Sequence, residues 1–315
     1  ARHPFLALGM SSMTADIDRM AQDIVRHHAA TFAGFTPQPV PRCDTQEPVY
    51  RAALQACSTL GFIPADAHCL ARAWQARTQR AGQFSAADWP DDPRDFGLRL
   101  RSGPEAFAAC PMQLGLYAVL PDAAWVERMA HAGVPTVQLR FKSSDPAAIA
   151  REVAAAVQAV RGTPARLFIN DHWRAALAAG AYGVHLGQED LDALQPEEVQ
   201  TLRASGLRLG VSTHGYAEML RADALGPSYI ALGAVFPTTL KVMATAPQGL
   251  GRLAAYARLM KSYPLVAIGG ISAEQFAPVL ATGVGSIAVV RALLNAADPG
   301  AEAQKLMELM AATLR

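Results

Sequence analysis

From residue 114 onward, short apolar runs recur and alternate with longer stretches of helical period. The runs are LGLYAV (114–119), TVQLR (136–140), RLFI (166–169), YGVHL (182–186), LRLGV (207–211), SYIALG (228–233), PLVAI (264–268) and SIAVV (286–290). Each is strand-length, and each is followed by a helical pattern or a long loop, as over 121–132 (stopped by Gly133) and 145–161. Strands alternating with helices predict a parallel sheet. Eight such units within about 200 residues predict a small (β/α)8 barrel rather than a doubly wound sheet, which uses fewer strands.

Upstream the texture differs, and residues 1–100 read as mostly helical. Thr14 is placed to cap a helix whose Ile17, Met20, Ile24 and Val25 share a face. GFTPQPVPR (34–42) reads as a loop, 48–80 as one or two further helices, and DWPDDPRDFG (88–97) as turns. His27 and His28 read as solvated helix residues. The expected division is a helical N-terminal extension over 1–111, of unassigned role, and a barrel domain over 112–315.

Composition narrows the class. Of 315 residues, 51% are hydrophobic and 17% charged, enough for a sizeable core. The formal net charge of +1 argues against nucleic acid or a membrane surface as partner. No apolar run is long enough for a membrane span, and ARHPFLALGM is not a convincing signal peptide, so a cytoplasmic location is expected. Cys43, Cys57, Cys69 and Cys110 show no CxxC spacing and read as reduced thiols.

The chemistry collects at strand ends. In LFINDHWRAALAAGAYGVHLGQEDL (167–191), a strand is followed by a helix stopped at Gly180 and then by the next strand. Five strand residues rise roughly 16 Å and about ten helical residues return roughly 15 Å. Asp171 and Asp190 therefore emerge beyond the carboxyl ends of neighbouring strands, the catalytic face of a barrel. Two carboxylates there can share a hard divalent cation; the alternative is that Asp171 caps the following helix. Gln138, Arg140 and Lys142 alternate to one face, which suits a polyanion. Ser212 and His214 follow the fifth strand, Thr238, Thr239 and Lys241 the sixth, Gly269-Gly270 the seventh, and Val290-Arg291 the eighth. The glycine pair suits phosphate binding by backbone N–H groups, or simply a turn.

In order, QLR-x-K, IND, GVHLGQEDL, GVSTH, VFPT-x-x-K and AIGGIS resemble the motifs of the thiamine phosphate synthase family over roughly 114–295. The resemblance implies an enzyme that condenses a hydroxymethylpyrimidine pyrophosphate with a hydroxyethylthiazole phosphate and releases pyrophosphate. It implies Mg²⁺ on Asp171 and Asp190. Gln138, Arg140, Lys142, Asn170, Ser212 and Lys241 would hold the pyrimidine pyrophosphate, and Tyr117 would flank its ring. Arg140, Lys142, Ser212 and Lys241 would also carry the catalytic charge stabilisation. Thr238, Thr239, Gly270 and the backbone at Val290 and Arg291 would hold the thiazole phosphate. His185 and His214 are supporting groups at most. The chain departs from the family pattern at Phe141, Leu240 and Arg291. The implied partners are small-molecule substrates, with a homo-oligomer left open. The rivals are a thiazole tautomerase relative and a non-catalytic thiamine-phosphate sensor.

Overall fold

The computed structural model describes residues 5–239 and 245–314, with side chains from residue 13 onward. Eight parallel strands close on themselves in sequence order. They are β1 (Gly115–Leu120), β2 (Thr136–Leu139), β3 (Arg166–Asn170), β4 (Gly183–Leu186), β5 (Arg208–Thr213), β6 (Tyr229–Leu232), β7 (Leu265–Ala267) and β8 (Ser286–Val289). β8 pairs back onto β1, so the sheet has no open edge. The expected barrel is the observed one. Helices Ala123–His131 and Pro146–Ala159 fall on the expected stretches. Each has an aspartate N-cap: Asp122 accepts from the Trp125 N–H (2.8 Å) and Asp145 from the Ala147 N–H (3.0 Å).

Register shows how the interior is filled. Tyr117 on β1 and Tyr229 on β6 are not on neighbouring strands, yet their hydroxyls lie 2.7 Å apart. The two side chains therefore meet inside the barrel. Phe168 on β3 packs edge-on against Tyr229, with ring centroids 5.0 Å apart. These rings need room beside them. Gly183 is the register partner of Phe168, and Gly210 that of Tyr229. A Cβ at either glycine would run into the partner's ring. Large and glycine positions thus interlock across neighbouring strands, the fit that a closed barrel interior demands. From Phe168, period two along β3 also brings Asn170 inward at the strand's carboxyl end.

Two compact units emerge. One comprises residues 99–214 and 221–315 and contains the barrel; the other comprises residues 1–98 and 215–220. The second unit contains α1 (Phe5–His28), α2 (Pro48–Thr59), α3 (Pro64–Ala81) and the first residues of the helix Tyr216–Leu225. Two expectations are corrected there. α1 begins well before Thr14, so Thr14 lies inside the helix and not at its cap. His28 is buried, not solvated: its Nε2 bonds the Ala86 carbonyl (2.9 Å) and its ring packs edge-on to Trp89. Burial holds its pKa below the ordinary value. The reason is helical phase, since His28 falls on the face of Ile17, Ala21 and Ile24, which are also buried. His27 is exposed, as expected. Trp89 donates to the Tyr216 hydroxyl (2.9 Å), and the Asp66 carboxylate accepts from the Ala217 N–H (2.8 Å). All four cysteines are free thiols.

Candidate active site

The barrel's carboxyl end gathers the polar groups that the sequence placed at strand termini. At the end of β2, Gln138 is buried and its Nε2 donates to the Tyr117 hydroxyl (2.9 Å). Arg140 is half-buried; its backbone N–H continues the ladder to Leu120 (2.8 Å), and no carboxylate pairs with its guanidinium among the described residues. Lys142 lies past the strand, and its Nζ donates to Asp171 Oδ2 (3.1 Å).

Beyond β3, Asn170 is buried and Asp171 adopts a left-handed backbone, φ 64°. Aspartate tolerates that region better than most side chains. The Asp171 N–H is tied to the His185 carbonyl on β4 (3.0 Å). Asp171 does not cap the helix Trp173–Ala179: the N-cap position is His172, with no side-chain cap. The capping alternative is therefore set aside, because the turn directs the carboxylate to Lys142 instead.

Asp190 sits in the first turn of the helix Gln188–Ala193, and its Oδ2 accepts from the Gly187 N–H (2.8 Å). Burial pushes the Asp190 carboxyl above its ordinary pKa. The neighbouring Asp171 carboxylate pushes it further, while the Gly187 N–H and Lys142 pull the other way. Two like charges crowded together are what a bound cation relieves. Among the described residues no group of three or more His, Cys, Asp or Glu could hold a metal. Two hard oxygen donors fit Mg²⁺, which keeps several waters and shares substrate phosphate oxygens, better than a four-ligand zinc site.

Ser212, at the end of β5, is half-buried with its Oγ 2.7 Å from His185 Nε2. Its carbonyl accepts from Gln188 Nε2 (2.8 Å), which ties β5 to the Asp190 helix. The other side of the mouth is built mostly from backbone. Gly269 and Gly270 have φ of 108° and 64°, and a Cβ on Gly270 would lie 2.5 Å from the Pro237 carbonyl oxygen. The loop after β6 is drawn against them, the Phe236 N–H donating to the Gly269 carbonyl (3.0 Å). Both glycines are therefore required by close approach as well as by the turn. Val290 precedes the short helix Arg291–Leu294, and Arg291 Nη1 reaches back to Thr239 Oγ1 (3.0 Å). Thr238 lies in the same loop. Lys241 and Leu240 lie outside the described residues.

Tyr117 is fully buried, its hydroxyl shared by Gln138 and Tyr229. Two groups were missed in the sequence, Gln188 and Tyr229. The glycine inside GVSTH was a usable signal for Tyr229, since glycine within a strand marks a close approach by a neighbour.

The family described as thiamine monophosphate synthase matches residues 116–293. A thiamine-phosphate synthase of Neisseria meningitidis is 55% identical over 188 residues, covering 60% of this chain and 90% of that protein. One from Cronobacter sakazakii is 53% identical over 203 residues, covering 64% and 95%. Among solved structures, a thiamine phosphate pyrophosphorylase from Pyrococcus furiosus superposes with a TM-score of 0.56 at 32% identity, covering 64% of this chain and 98% of that one. With the matched stretch spanning the closed barrel and the strand-end groups described above, the chain belongs to the thiamine monophosphate synthase family.

Proposed function

We propose that the barrel joins a hydroxymethylpyrimidine pyrophosphate to a hydroxyethylthiazole phosphate, giving thiamine phosphate and pyrophosphate. The observation that carries this reading is the meeting of Asp171 and Asp190 beside Lys142, with Arg140 at the end of β2 on the same end of the barrel. That is the group of charges a bound pyrophosphate with a divalent cation calls for. We assign the chemistry to residues 112–315, because every named group lies there.

Asp171 and Asp190 would hold Mg²⁺, which when bound supplies charge neutralisation to the leaving pyrophosphate. Arg140, Lys142 and Lys241 add cationic stabilisation as the carbon–oxygen bond lengthens. Gln138, Asn170 and Ser212 orient the pyrimidine pyrophosphate. The carbon–oxygen bond breaks with both electrons leaving on pyrophosphate, and the ring amine stabilises the pyrimidinylmethyl cation. The thiazole nitrogen lone pair then forms the new carbon–nitrogen bond. That nitrogen carries no proton, so no general base is required. Thr238, Thr239, Gly270 and the backbone at Val290 and Arg291 hold the thiazole phosphate and keep the nitrogen close to the cation.

Neither Phe141 nor Leu240 replaces a residue assigned to the metal or the pyrophosphate. Arg291, reaching Thr239, adds a cation beside a loop whose sequence has Leu240 where the family pattern has a hydroxyl residue. Turnover of the full chain with both substrates and Mg²⁺ tests the reading. Equal amounts of thiamine phosphate and pyrophosphate are expected. Binding without turnover would favour a sensor, and turnover of a thiazole substrate alone a tautomerase.

A further inference from the structure

Five polar side chains cross the barrel interior in one continuous run. Gln138 Nε2 donates to the Tyr117 hydroxyl (2.9 Å), which lies 2.7 Å from the Tyr229 hydroxyl. The Tyr229 hydroxyl lies 2.6 Å from His185 Nδ1, and His185 Nε2 lies 2.7 Å from Ser212 Oγ. The run starts on β2, passes through β1, β6 and β4, and ends on β5, linking Gln138 to Ser212 through Tyr117, Tyr229 and His185. We propose that this run is a one-way hydrogen-bond relay: it fixes His185 as the Nε2–H tautomer and so turns the Ser212 hydroxyl outward as a donor to the substrate's pyrophosphate. Tyr229 is its positioning residue. The final step rests on the functional reading above; the tautomer does not.

The direction follows from proton counting. Each phenol has one proton to give. The Tyr117 oxygen already accepts from Gln138. Were Tyr229 also to donate to it, the Tyr117 proton would be left in a fully buried position with no acceptor. Tyr117 therefore donates to Tyr229, and Tyr229 in turn donates to His185 Nδ1. An imidazole accepting at Nδ1 carries its proton on Nε2 and donates it to Ser212 Oγ. Ser212 then has no acceptor in His185, and its own proton is free for an anion. An imidazolium is excluded by the same count: it would donate at Nδ1 and strand the Tyr229 proton. Burial pushes both phenols above their ordinary pKa, which keeps both protons in place.

Gln138 sets the sign of the whole run. With its amide nitrogen on Tyr117, its oxygen remains an acceptor. With the amide reversed, every proton would point the other way, and Ser212 would donate to His185 instead of to a ligand. The relay therefore matches a carbonyl acceptor on β2 to a hydroxyl donor on β5. It needs Tyr229, and Tyr229 needs Gly210, whose absent side chain leaves room for the ring.

The test is long-range ¹⁵N–¹H correlation of the histidine rings in the full chain, with His185 assigned by its loss in His185→Gln. The expected result is a proton on Nε2 and none on Nδ1. In Tyr229→Phe the ring remains but the donor to Nδ1 is gone. His185 should lose the pure Nε2–H signature, and kcat should fall about ten-fold, the scale of one hydrogen bond to a charged group. KM for the thiazole phosphate should not move. Ser212→Ala should cost a similar factor, and the double variant little more than either single one. A proton on Nδ1 in the unaltered protein would overturn the relay, and so would unchanged kcat in a folded Tyr229→Phe. Should Tyr229→Phe not fold, the tautomer in the unaltered protein still decides. That reading needs no turnover, so a chain inactive with both substrates would sink the functional reading and leave the tautomer result standing.

Discussion

The two halves of the barrel mouth are built from different materials. Around β2, β3 and β4 the working parts are charged side chains: Arg140, Lys142, Asp171 and Asp190. Around β6, β7 and β8 they are backbone, with Gly269 and Gly270 in left-handed conformations and the loop after β6 folded against them. A single described cation, Arg291, reaches in beside Thr239. The contrast fits what each half is proposed to hold. A pyrophosphate that must leave gains from charge that stabilises its departure. A phosphate that only anchors its ring needs close, fixed donors, and a glycine backbone supplies them without side-chain entropy. The two halves should therefore fail differently when altered.

The largest effect is expected on the charged half. Asp171→Ala and Asp190→Ala should each lower kcat at least 100-fold, since each removes charge from the proposed cation and pyrophosphate site. Steady-state turnover at saturating Mg²⁺ reads this, and near-normal kcat in both would remove the metal assignment.

An intermediate effect is expected on the other half. Arg291→Ser should raise KM for the thiazole phosphate about ten-fold, the loss of one charge-assisted contact of roughly 1.5–3 kcal/mol. KM for the pyrimidine pyrophosphate should barely change. Unchanged kinetics for both substrates would mean that Arg291 only braces Thr239.

The smallest effect is on stability. The folded pKa of Asp190 is raised, mainly by burial. A raised acid favours folding fully below its unfolded pKa, and that contribution is lost as pH rises through the folded value. At pH 8 without Mg²⁺ the ionised carboxylate is thus a cost to the fold. Asp190→Asn keeps an oxygen for the Gly187 N–H and should raise Tm by roughly 2 °C at pH 8. The gain should vanish near pH 4, which thermal unfolding at the two pH values checks. A lower Tm at pH 8 would show that the carboxylate is stabilising as it stands.

Much of the architecture could be read in advance because its cause is local. Strand runs such as YGVHL and SIAVV are short and apolar, and the aspartates, glycines and basic residues follow them directly. What escaped notice depends on partners far along the chain. Tyr117 meets Tyr229 across 112 residues, and no local pattern encodes that pairing. Helix capping stood as the alternative for Asp171 because Asp before a helix is often a cap; its left-handed turn depends on the His185 carbonyl of the next strand. His28 appeared solvated because it adjoins His27, although one residue is a 100° rotation on a helix and changes the face. Thr14 failed as a cap because the helical run continues upstream of it.

The division of the mouth is tested most directly by one paired measurement. Arg140→Ala and Gly270→Ala are assayed together, with KM determined for each substrate in each variant. Arg140 carries a cation with no carboxylate partner among the described residues, and a Cβ at Gly270 would push the β7 loop off the Pro237 carbonyl. The expected result is reciprocal. Arg140→Ala should raise KM for the pyrimidine pyrophosphate at least ten-fold and leave the thiazole phosphate alone, and Gly270→Ala should do the reverse. Equal rises for both substrates in both variants would contradict the division of the site into a charged half and a backbone half.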